Sequence, residues 1–144
     1  MKLGDKGAAL IKSYEKCVLS AYMPTPNDVP TIGWGHTRGV AMGDTCTPAE
    51  ADAWFLDDLA WVEDCVNRAV TAQLAQPEFD ALCSLCFNIG CRAFSGSTVA
   101  KKLSEGDYDG ASEAILLWNK QHGQELAGLT ARRHAEQKLF EEVA

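Results

Sequence analysis

No run of about 18 apolar residues occurs in this 144-residue chain, so no membrane-spanning helix is expected. The opening residues, Met1-Lys2-Leu3-Gly4-Asp5-Lys6, lack the apolar core of a secretory signal, and export by that route is not expected. Positive charge is scarce: 13 Lys and Arg stand against 20 Asp and Glu, a net charge of −7. The imbalance is uneven. Residues 1–46 hold five basic and four acidic residues (+1), while residues 47–144 hold eight and sixteen (−8). Nucleic acid calls for a basic face and is therefore not an expected partner. An anionic membrane surface would not attract the chain over long range. There are three histidines, none close in sequence to Cys83-x-x-Cys86-x-x-x-x-Cys91. A zinc site takes four N or S ligands, so no metal is expected there, and no cofactor elsewhere. Internal repeats, low-complexity stretches and long linkers are missing too.

What remains is ordinary globular material, 47% hydrophobic and 23% charged, enough for one domain or two small lobes sharing a helix. Six cysteines are many for this length: Cys17, Cys46, Cys65, Cys83, Cys86 and Cys91. Cys83 and Cys86 read as small buried hydrophobes on a helix. A disulfide somewhere among the six is the other option, with connectivity that sequence does not give.

Asp5 is a candidate cap for a helix over about 6–17, with Leu10, Ile11 and Tyr14 as its apolar stripe. Residues 20–37 read as a β-hairpin, since Pro24, Pro26 and Pro30 exclude helix and Asn27-Asp28 is turn chemistry. Thr47-Pro48-Ala49-Glu50 combines a threonine cap, a first-turn proline and a capping-box glutamate. It opens a long helix running to about Val70. Pro77 opens the next helix and Gly90 stops it. Further helices are expected near 97–104 and 107–119. Thr130 is the expected cap of a last helix from Ala131 to about Val143. The fold class is α+β: a small sheet lobe (about 1–46), a connecting helix (about 47–70) and a helical lobe (about 71–144), with a ligand cleft expected between lobes.

Glu15 carries the chemistry in this reading. It follows Ile11 by four residues and sits at the end of its helix. Desolvation and the helix dipole both disfavour its ionised form there, as a general acid requires. A solvated surface glutamate is the bland alternative. Thr31 starts the return strand, and with period two Thr31, Gly33 and Gly35 share one face. Two glycines there leave a groove for a flat ligand, or simply permit a twisted hairpin. His36 points the other way and is expected to pair with Asp58. Arg132-Arg133 fall in the first turn of the expected last helix, where the dipole disfavours cations. That placement hints at an anionic partner, against the simpler reading of a surface pair.

Glu15, Leu19-x-Ala21-Tyr22 and Thr31-Ile32-Gly33-Trp34-Gly35-His36-Thr37 resemble the phage-type lysozymes. The likeness continues in order through Thr47-Pro48-x-Glu50-Ala51, Asp58-Leu59, Phe87-Asn88-Ile89-Gly90-Cys91, Phe94, Ser97-Thr98 and Leu103-x-x-Gly106-Asp107-Tyr108. It ends with Trp118, Gly128-Leu129-x-x-Arg132-Arg133 and Glu136, covering nearly the whole chain. The resemblance implies a single lysozyme-like domain over 1–144. It implies a muramidase cutting the β-1,4 bond between N-acetylmuramic acid and N-acetylglucosamine in peptidoglycan, with Glu15 as general acid and Thr31 placing the attacking water or stabilising the sugar. It further implies Arg132 approaching the catalytic glutamate, Phe87, Asn88 and Ser97 lining the glycan cleft, and His36–Asp58 as a structural ion pair. A monomer, made without a signal peptide in an infected host and released to the wall through a holin-type pore, completes that expectation.

One departure matters. The family's second catalytic position, usually Asp, lies nine residues after the Glu and six before the Thr. Here those counts reach Pro24 and Thr25, because the loop is one residue longer. Asp28 is the only acid in the turn and the candidate second carboxylate, against the reading that it merely bonds its own backbone. Two alternatives follow: a lytic transglycosylase, in which the sugar's own 6-hydroxyl attacks, and a peptidoglycan-binding module that has lost catalysis.

Overall fold

The computed structural model describes residues 1–142. Among these described residues, seven helices and two short antiparallel strand pairs make an α+β protein. The chain divides into two compact units. One is Lys12–Trp61; the other joins Met1–Ile11 to the chain from Val62 onward. No helix among the described residues is long and apolar enough to cross a membrane.

In the smaller unit, the end of α1 (Asp5–Tyr14) leads into β1 (Cys17–Tyr22), which pairs antiparallel with β2 (Thr31–Trp34). The register joins Cys17 to Trp34, Val18 to Gly33 and Tyr22 to Thr31, with an irregularity between Val18 and Tyr22. The helix stops at Tyr14, earlier than the expected residue 17, because Cys17 is already the first paired residue of the strand. Asp5 lies inside α1, and Gly4 stands before it, its carbonyl accepting from Ala8 N–H.

The strand after Thr31 is shorter than its alternation suggests. β2 ends at Trp34, and Ile32 and His36 exchange two backbone hydrogen bonds of 2.9 Å around a tight turn. Gly33 (φ 64°) and Gly35 (φ 72°) both adopt left-handed backbone, which makes that turn possible. The alternation from Thr31 thus holds only to Gly33, and Gly35 lies in the turn, as the twisted-hairpin alternative has it. A β-carbon on Gly33 would lie 3.2 Å from Ala51 Cβ, so this glycine lets the turn press on helix α2 (Pro48–Ala69). Ile32, Ala51 and Phe55 are the unit's buried apolar centre.

α2 begins as its sequence dictates. Thr47 Oγ1 accepts from Glu50 N–H at 3.1 Å, and Glu50 Oε1 accepts from Thr47 N–H at 3.0 Å. Such reciprocal capping satisfies two donors that helix geometry leaves unpaired.

The larger unit is helical. It contains α3 (Gln76–Ile89), α4 (Cys91–Ser95), α5 (Thr98–Ser104), α6 (Tyr108–Ile115), a two-residue strand pair β3 (Lys120–Gln121) and β4 (Gln124–Glu125), and α7 (Ala127–Phe140). Phe79, Leu82, Leu85, Phe94, Val99, Leu103, Ile115 and Phe140 form its core. Gly90 (φ 91°) ends α3 and lets α4 begin at once. Cys65 and Cys91 form a disulfide, while Cys83 and Cys86 are free and buried.

Two expectations fail in this unit. The helix expected over 107–119 stops at Ile115. The last helix starts at Ala127, not after Thr130, whose N–H already donates to Leu126 O inside the first turn. The β3–β4 turn, with His122 (φ 51°) and Gly123 (φ 78°) left-handed, reverses the chain there, so no cap is needed at Thr130. Arg132 and Arg133 thus lie beyond the first turn, and the dipole argument for an anionic partner lapses. Val143, the expected helix end, lies outside the described residues.

Candidate active site

Glu15 is the first residue beyond α1, half-buried, with its N–H donating to Lys12 O at 3.2 Å. Its carboxylate rests on the Gly33–Gly35 turn. A β-carbon built on Gly35 would stand 2.6 Å from Glu15 Oε2 and 2.9 Å from Cδ. Glycine at 35 is required by its left-handed φ, and any side chain there would push the end of the Glu15 carboxylate aside.

Thr31 is buried (6% exposed), and its hydroxyl donates to Val29 O at 3.0 Å. With its proton committed, the hydroxyl offers only lone pairs to a further partner. Tyr22 faces Thr31 across the ladder. Burial, then the negative charge of Glu15, then that of Asp28 push the Tyr22 phenol above its ordinary pKa. That response places Tyr22 in the field of both acids.

Asp28 is engaged within its turn. Oδ1 accepts from Val29 N–H at 2.8 Å and Oδ2 from Thr25 Oγ1 at 3.1 Å, while its own N–H donates to Thr25 O. Both oxygens thus have a partner in residues 25–29.

Behind the turn, His36 Nδ1 lies 2.8 Å from Asp58 Oδ2, with the side chains 11% and 8% exposed. Trp61 Nε1 donates to Asp58 Oδ1 at 3.0 Å, and Trp54 stacks on the imidazole with centroids 5.0 Å apart. The residues flanking the histidine pair, Trp54 and Trp61, carried no signal in the sequence beyond helical apolar spacing.

The larger unit holds the other named residues. Glu136 is fully buried and receives Ser84 Oγ at 2.6 Å, Arg132 Nε at 3.2 Å and Arg133 Nη2 at 3.0 Å. Arg132 also donates to Ser84 O, and Arg133 to Asn88 Oδ1 and Trp118 O. A buried carboxylate needs such partners to offset its desolvation. Ser97 caps α5: its hydroxyl accepts from Ala100 N–H and donates to Phe94 O. Asn88 is exposed and Phe87 partly so.

The structure thus gathers Glu15, Thr31, Asp28, His36 and Asp58 into one unit, and Phe87, Asn88, Ser97 and Arg132 into the other. Tyr22 and the load of Glu15 on Gly35 were missed in sequence. The glycine pair was visible there, but its reason is the acid that leans on it.

A phage lysozyme family model matches residues 12–136. The chain is 43% identical to an endolysin of Acyrthosiphon pisum secondary endosymbiont phage 1, over 98% of this chain and 99% of that protein. It is 41% identical to an endolysin of Salmonella phage P22, over 97% of this chain and 98% of that one. Among solved structures, the muramidase domain of SpmX from Asticaccaulis excentricus superposes with a TM-score of 0.86 at 38% identity, covering 99% of both chains.

Proposed function

The chain belongs to the phage lysozyme family, whose chemistry makes it an endolysin-type muramidase, and we propose that Glu15 is the general acid of that reaction. The observation that carries this assignment is the seat of its carboxylate. It lies on a glycine that no side chain can replace without displacing it. A glycosidase acid must protonate the leaving oxygen from a defined position, and close packing against Gly35 limits where this carboxylate can lie.

Thr31 is the proposed water-placing residue. Its proton is held by Val29 O, so its lone pairs accept from a water and aim it, without acting as a strong base. For Asp28 we favour a positioning role. Its bonds to Val29 and Thr25 tie the lengthened loop just before Thr31, and its charge adds to the site's field. Phe87 and Asn88 are proposed glycan contacts, since both reach solvent. Ser97 and Arg132, buried and bonded to their own surroundings, act by holding the shape of those contacts. His36 and Asp58 serve as a structural pair.

The target is the cell wall. The proposed route is synthesis in the host cytoplasm and release through a holin-type pore, as a monomer. The Cys65–Cys91 disulfide suits action in an oxidising compartment. The test is loss of turbidity of wall suspensions by Glu15→Gln. Circular dichroism matching wild type together with abolished lysis is expected. Full lysis by that variant would remove Glu15 from the mechanism.

A further inference from the structure

We infer that Lys12 and Trp34 are positioning residues for Glu15, an inference that rests on the muramidase reading above. Four contacts close a ring around the acid. Glu15 N–H donates to Lys12 O at 3.2 Å. The Lys12 ammonium stands 4.8 Å above the Trp34 ring and 5.2 Å from the buried Phe55 ring. Trp34 is covalently joined to Gly35. Gly35 receives the Glu15 carboxylate.

The indole is itself fixed from its far edge. Trp34 Nε1 donates to Asp52 Oδ1 at 2.9 Å on α2, and its ring packs 6.2 Å from Phe55. A cation over the face and a carboxylate at the N–H edge both match the ring's charge distribution. α2 is anchored at its start by the Thr47–Glu50 box. The ring of contacts thus refers the end of α1, and with it the acid, to a rigid helix. The Lys12 cation is one of the ties between the end of α1 and β2.

Neither residue needs to touch the sugar for this role. The distinguishing readout is therefore the division between kcat and KM on soluble glycan strands. Lys12→Met and Trp34→Leu are each expected to lower kcat about tenfold, the scale on which sub-ångström misplacement acts, with KM within about twofold. The double variant should lose about as much as either single one, where independent effects would multiply to about a hundredfold. Lys12→Arg, which can also cover the ring, should restore most of the rate.

Unchanged kcat in Lys12→Met overturns the inference, as does raised KM with kcat preserved, which would make these residues binders. Lowered melting temperature with wild-type kcat below the transition overturns it too, leaving a structural role alone. If wild type itself releases no sugar, the muramidase reading fails and this inference falls with it.

Discussion

Replacing Gly35 with alanine separates two effects that usually travel together. The new methyl would lie 2.6 Å from Glu15 Oε2, so regaining an ordinary contact of about 3.5 Å requires the carboxylate to retreat by roughly 0.9 Å. Alanine also has to accept φ 72°, a left-handed conformation costing about 1–2 kcal/mol. Gly39 supplies the control. It has the same φ of 72°, and a β-carbon there meets nothing within 4 Å. Both Gly35→Ala and Gly39→Ala should therefore lose about 1–2 kcal/mol, a fall in melting temperature of roughly 3–6 °C. Only Gly35→Ala should lose activity, on the order of 10- to 100-fold in kcat, because a displaced acid protonates poorly. The assay pairs thermal unfolding with hydrolysis rates well below the transition. Wild-type rates in both variants would refute the claim that the turn seats the acid. Equal rate losses would trace the effect to backbone strain instead.

Other outcomes follow from the same geometry. His36→Asn removes the imidazole from the buried Asp58, which keeps its bond from Trp61; a loss of about 3 kcal/mol is expected in denaturant unfolding, and a loss under 0.5 kcal/mol would contradict it. A thiol reagent at pH 8 should label exposed Cys17 in the folded protein and reach Cys83 and Cys86 only on unfolding, since burial pushes both thiols up, Cys86 to about 12. Opening the Cys65–Cys91 link, which spans 26 residues, should cost about 3 kcal/mol. The Tyr22 phenol, raised by burial and then by Glu15 and Asp28, keeps its proton in the folded state at pH values where an unfolded chain loses it. Its contribution to stability is therefore complete below the ordinary phenol pKa and is lost as pH rises above it. In Glu15→Gln the ultraviolet titration of Tyr22 should shift toward lower pH, and an unmoved midpoint would place Glu15 outside its field.

Local signals were the legible ones. The Thr47–Glu50 box lies within four residues, so its pattern and its geometry are the same fact. Glu15, Thr31 and His36 could be proposed from the letters alone because they lie in one short block in family order. Gly33 and Gly35 show the limit. As letters they suit a strand face or a turn, and what decides between them is Ala51 on a distant helix and the carboxylate of Glu15. Thr130 misled for a related reason: threonine is a good cap, but the preceding Gln121–Gln124 turn had already reversed the chain. The Cys65–Cys91 link joins α2 to α4, and no local pattern marks a pairing between helices. Lys12, an ordinary basic residue on an apparent surface, gains meaning only once Trp34 lies beneath it.

The assignment of Glu15 as the acid of a hydrolytic muramidase is tested most directly by mass spectrometry of the soluble products from purified peptidoglycan. Wild type should release fragments carrying one added water per bond cut, and Glu15→Gln should release none. Fragments one water lighter, with 1,6-anhydro ends, would contradict hydrolysis and mark a transglycosylase, while hydrolysed fragments from Glu15→Gln at the wild-type rate would contradict the acid.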